Sequence, residues 1–117
     1  MFQLEGSLAE ELDVMIQDAL PRETGGVIID GREAVELNNY AELDSAFEFH
    51  LVELREVINA YGMKHADGAE ISERVVLWHS HPSGTVGPSR EDMRNKTPLK
   101  YHLVIAFVDG NLVPTWY

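Results

Sequence analysis

The run Val75-Val76-Leu77-Trp78 leads directly into His79-Ser80-His81 and stops at Pro82. Four apolar, β-prone residues in succession read as a strand, and proline, which has no backbone N–H, cannot continue a central strand. Any fold of this chain must therefore end a strand at two histidines and turn away there. Side chains alternate faces along a strand, so the two imidazoles project to one side and Ser80 to the other.

The remaining chain supplies elements to surround that strand. Leu8, Leu12, Met15, Ile16 and Ala19 recur at helical spacing over residues 7–20, with Ser7 and Glu10 as a capping box and Pro21 at the end. Gly25–Ile29 reads as a strand closed by the turn Asp30-Gly31, with Ala34–Leu37 returning beside it. After a polar stretch and a short apolar run at Phe47 and Phe49, a second helix is expected over 51–61. Leu51, Leu54, Val57, Ile58 and Tyr61 form its apolar face, and Gly62 stops it. Residues 63–73 read as polar and mobile. Ser83–Pro88 is a loop, Ser89-Arg90-Glu91-Asp92 opens a helix, and His102–Val108 is a strand that Asp109-Gly110 turns into Leu112 and Val113. Helices interspersed with short strands and two hairpins define an α/β (α+β) fold with a mixed, largely antiparallel central sheet flanked by helices. No repeat or linker divides the chain, so one domain over 1–117 is expected.

Composition narrows the chemistry. The absence of cysteine excludes disulfides and thiolate metal sites, leaving any metal to His, Asp and Glu. Twenty acids against nine Lys and Arg, a net charge of -11, oppose binding to phosphate backbones and anionic membranes and favour a basic partner. Neither a nucleic-acid nor a membrane partner is expected. No long apolar run or basic leader is present, and the expected location is the cytoplasm.

Two imidazoles on one face are a ready ligand pair. Asp92, eleven residues after His81, completes a two-His-one-carboxylate set across the loop. Three protein ligands leave a fourth tetrahedral position to water, the mark of a catalytic zinc site. The same set describes the facial triad of non-haem iron oxygenases, but those sites usually sit on all-β jelly rolls, and the helices here favour zinc. Ser89 and Asp92 also read as a second capping box. Trp78 reads as core, and His50, His65 and His102 have no partner at ligand spacing.

His79-x-His81, seven residues, Ser89, two residues, Asp92 resembles the signature of the JAMM metalloproteases, the MPN domain family, and His79-Ser80-His81-Pro82 is its most typical local form. Glu23-Thr24-Gly25-Gly26 stands before the first strand, where that family carries a glutamate. The resemblance covers nearly the whole chain, and it implies the JAMM/MPN fold, similar in architecture to cytidine deaminases. By the same resemblance, His79, His81 and Asp92 would hold Zn²⁺, Ser89 would steady an oxyanion, and Glu23 would take a proton from water and pass it to the leaving amine. On its own, Glu23 also reads as a solvated acid after a helix; its place beside two glycines, where another strand can approach, favours the catalytic role.

The implied activity is that of a zinc-dependent peptidase or isopeptidase acting at the C-terminal tail of a ubiquitin-like or other protein. Only Met93–Lys100 separates Asp92 from the last strands, so the second insertion of linkage-specific deubiquitinases has no room, and the chain is similar to the minimal prokaryotic or viral form. Two alternatives accompany this reading. One is a bacteriophage tail-tip assembly protein with a JAMM hydrolase domain, found in host cytoplasm or virion and acting on a tail protein or a peptidoglycan cross-link. The other is a non-catalytic MPN scaffold.

Overall fold

The computed structural model describes residues 2–117. Its elements in chain order are α1 (Gly6–Ala19), β1 (Gly25–Ile29), β2 (Glu33–Leu37), α2 (Leu51–Ala60), α3 (Gly68–Arg74), β3 (Val75–His81), α4 (Arg90–Arg94), β4 (His102–Val108) and β5 (Asn111–Trp116). The five strands form one sheet in the order β2-β1-β3-β4-β5. Strand β3 is central and buried along its whole length. It pairs antiparallel with β1 and parallel with β4, while β1–β2 and β4–β5 are antiparallel hairpins. A parallel pair needs a long crossover, and residues 82–101, which carry α4, provide it.

Alternation along β3 divides the core into two layers. Val76 and Trp78 pack with Ile28, Leu103 and Ile105 against Leu8, Leu12 and Ile16 of α1. Val75 and Leu77 face the other way, toward Val27, Leu37, Leu54 of α2, and Met63. Each fully buried aliphatic side chain contributes about 1.5–3 kcal/mol, so these layers hold the sheet rigid on both faces. His79 and His81 continue the Leu77 face, and Ser80 continues the Trp78 face. The expected face-sharing of the histidines thus follows from the period of the strand.

Glycine is required at both first positions of β1. A Cβ on Gly26 would overlap the carbonyl oxygen of Val35, and one on Gly25 would overlap that of Trp78 and the Phe47 ring at 2.8 Å. These two residues let β2 and β3 close on β1 at the end of the sheet that carries the histidines.

Three local expectations are corrected. The Ser7–Glu10 capping box does not form: the chain enters α1 through Gly6 at φ 60°, the N-cap position is Glu5, and no side chain caps it. Leu51, expected on the buried face of its helix, is 58% exposed in the first turn of α2, where the core contact is made by Leu54. Residues 63–73 are not a mobile polar segment. Met63 is 1% exposed, and Asp67 caps α3 by accepting from the Glu70 N–H at 2.8 Å. The pattern Asp67-x-x-Glu70 carried that start signal, but the short helix shows no apolar periodicity. Among the described residues no helix is long and apolar enough to cross a membrane.

Candidate metal centre

The end of β3 delivers two imidazoles to one point. Nε2 of His79 and Nε2 of His81 lie 3.3 Å apart. The carboxylate of Asp92 faces both, with Oδ1 at 3.2 Å from His79 Nε2 and Oδ2 at 3.2 Å from His81 Nε2. Donor atoms sharing one tetrahedral ion at about 2.0–2.1 Å stand roughly 3.3–3.4 Å apart, so the separation of the two imidazole nitrogens suits a zinc-sized cation, and each carboxylate oxygen of Asp92 stands at a similar distance from one of them. The donor chemistry agrees. His81 Nδ1 lies 3.0 Å from the Thr85 carbonyl oxygen, an acceptor only, so Nδ1 carries the proton and Nε2 presents a lone pair. That lone pair meets a carboxylate oxygen and a second imidazole, an arrangement that a cation between them resolves.

Asp92 reaches this point because the expected second capping box forms. The Ser89 hydroxyl accepts from the Asp92 N–H at 3.0 Å, and the Ser89 N–H donates to Asp92 Oδ2 at 2.8 Å. The cap and the ligand role are compatible, because the two carboxylate oxygens still face the two imidazoles. Burial pushes the Asp92 carboxyl upward, but the hydrogen bond with His79 and those from Ser89 outweigh it and hold the group well below the usual carboxylate range.

Glu23 enters from the segment just before β1, the strand that pairs with β3. It is 8% exposed, and it offers a carboxylate oxygen that, with one nitrogen from each of His79 and His81, forms a set within 4.8 Å of one another. Its backbone is held at both ends: its N–H donates to the Asp44 carbonyl at 2.9 Å, and its own carbonyl accepts from Asn39 Nδ2 at 2.9 Å. The next residue, Thr24, donates its N–H to Ser80 Oγ at 2.9 Å and accepts the Ser80 N–H at 2.8 Å. Burial raises the Glu23 carboxyl to about 7, with His79 opposing the rise and the charge of Asp92 adding to it. A carboxyl tuned there can hold or release a proton near neutral pH.

All five residues singled out from sequence therefore gather at one place. Ser89 lies at the rim, with its hydroxyl oxygen accepting from Asp92 and its own proton still available for donation. The structure adds neighbours that sequence reasoning passed over. The Phe47 ring lies parallel to His79 with centroids 6.4 Å apart, and Tyr117 stands edge-on to the same imidazole at 6.4 Å. Burial, then the charges of Asp92 and Glu23, push the Tyr117 phenol upward. His102 belongs to the same layer, because β4 pairs it with Leu77. Its Nε2 accepts from the Thr97 N–H at 3.1 Å, which ties the segment after α4 back to the sheet. Phe47 is legible in the sequence only as part of a short apolar run, and nothing there marks Tyr117; for Ser80 the alternation of the strand gives its direction but not its partner. Trp78 is core, as expected.

Fold and site together define an α/β domain with a His-His-carboxylate cluster at the end of its central strand, faced by a buried glutamate. The chain belongs to the prokaryotic homologs of the JAB domain, whose family model matches residues 7–116. The JAMM/MPN resemblance carried by the motif is thereby borne out over nearly the whole chain. No curated protein and no solved structure matches it.

Proposed function

We propose that this protein is a zinc-dependent peptidase or isopeptidase that cleaves at the C-terminal tail of a ubiquitin-like or other protein partner. The observation that carries the reading is the convergence of His79, His81 and Asp92 at 3.2–3.3 Å with Glu23 buried beside them. His79, His81 and Asp92 would hold the ion. When bound, zinc supplies Lewis acidity that lowers the pKa of water toward about 7 and polarises a substrate carbonyl.

The chain's own groups account for the rest. Glu23, raised to about 7, takes a proton from the attacking water and returns it to the departing amine nitrogen as the C–N bond breaks. The Ser89 hydroxyl donates toward the carbonyl oxygen as negative charge develops there. Thr85 holds the tautomer of His81, and the capping box holds Asp92, so the site is formed before substrate arrives.

Protein purified after metal-replete expression should carry close to one zinc per chain, removable by chelation. Glu23→Gln should retain that zinc and lose cleavage. Incubating wild type and Glu23→Gln with lysate of the native host and comparing the new protein termini identifies the substrate, and separates a ubiquitin-like tail from a phage tail protein. Zinc-free protein would refute the metal reading, and equal cleavage by the two proteins would refute the role of Glu23.

A further inference from the structure

The charge of the chain reverses beside the metal centre. Residues 90–100 hold four cations against two acids, whereas the preceding 89 residues hold five against seventeen. Two of the four, Lys96 and Lys100, lie over the rings of Tyr117 and Tyr101. The other two, Arg90 and Arg94, stand four residues apart on α4, a spacing that brings side chains to one helix face and at which like charges weaken a helix. Among the described residues neither has a carboxylate within ion-pair reach, although Arg22 and Arg74 each do. Of the acids on the same helix, Asp92 is turned to the imidazoles, and Glu91 makes no ion pair with either arginine among the described residues. That surface is an open depression of about 530 Å³ lined by Pro88, Ser89, Arg90, Met93 and Arg94, with Met93 half exposed.

Ser89 belongs to both this depression and the metal centre, since it caps Asp92. An occupant of the depression is therefore adjacent to the scissile position. We propose that Arg90 and Arg94 grip an acidic segment of the partner protein, through the side-chain carboxylates of Asp or Glu, and so select the sequence beside the bond to be cut. This rests on the hydrolase reading for the word cut, but the grip itself does not. Guanidinium forks match carboxylates bidentately, and two unpaired forks on one face provide two such contacts. The net charge of -11 favours a basic partner at long range, whereas this surface selects acid at short range.

The test is peptide binding by fluorescence anisotropy on zinc-loaded Glu23→Gln protein, which leaves the peptide intact. Three labelled decapeptides differ only at three central positions: Glu-Asp-Glu, Ala-Ala-Ala and Lys-Lys-Lys. The acidic peptide should bind at least tenfold more tightly than the alanine peptide. The additional pair of changes Arg90→Ala and Arg94→Ala should erase that gap, Arg90→Glu with Arg94→Glu should turn the preference to the lysine peptide, and circular dichroism confirms that each variant is folded. With zinc removed by chelation the gap should persist, because the arginines and not the ion supply it. Equal binding of acidic and alanine peptides, a gap that survives both arginine variants, or a gap that vanishes with the zinc would overturn the proposal. A protein that lacks zinc or cleavage yet keeps an arginine-dependent gap would sink the hydrolase reading alone.

Discussion

Burying Glu23 next to Asp92 has a cost that can be measured in the metal-free protein. Its carboxyl stands at about 7 in the fold against 4.5 for a free glutamate. The folded state thus binds this proton more tightly than the unfolded chain does, so the contribution to stability is full below the unfolded value and is lost as pH rises through about 7. Each unit is worth about 1.36 kcal/mol, which puts the whole penalty of the ionised form at roughly 3 kcal/mol. Between pH 5.5 and 8.5 about 1.5 units of it develop, or roughly 2 kcal/mol. Glu23→Gln keeps the shape and cannot ionise. In urea titrations with chelator present, the variant should match wild type most nearly at pH 5.5 and exceed it by roughly 2 kcal/mol more at pH 8.5, or about 8 °C in Tm for a domain of this size. Parallel stability curves for the two proteins across this range would refute the reasoning.

Two further outcomes test the scaffold. Gly26→Ala forces a Cβ into the Val35 carbonyl and should cost about 3 kcal/mol or more, a large part of a small domain's stability, whereas Gly68→Ala, with nothing within 4 Å, should be neutral or slightly stabilising; thermal melts within 2 °C of each other for both variants would contradict this. Ser80→Ala removes the acceptor of the buried Thr24 N–H and should destabilise by about 1–3 kcal/mol, and a loss below about 0.5 kcal/mol in chemical denaturation would show that this bond does not hold the Glu23 segment.

The elements that sequence described correctly are those whose signals are local. The Gly25–Ile29 strand with its Asp30-Gly31 turn, and the His102–Val108 strand with Asp109-Gly110, rest on turn residues at positive φ that few other residue types adopt. Where the local signal is absent or ambiguous, the fold departs from it. Helix α3 is seven residues long and none of them is buried, so no apolar stripe announced it. Ser7 and Glu10 have the right spacing for a cap, but the backbone at Gly6 starts the helix earlier and leaves Ser7 inside it.

The candidate site divides along the same line. That His79 and His81 share a face follows from the chain alone, because a strand has a period of two, and so does the one-turn separation of Ser89 and Asp92 at a helix start. Those relations span a few residues and need only local geometry. Tertiary packing alone brings Glu23 to them: that residue lies 56 residues from His79 along the chain, and the pairing of Gly25 with His79 across two antiparallel strands joins them. It likewise brought Phe47 and Tyr117 against His79, and set Arg90 and Arg94 on one unpaired surface. Strand register is chosen by burial of whole faces and by how closely backbones can approach, here through Gly25 and Gly26, and the raised proton affinity of Glu23 exists only once that packing has removed it from water.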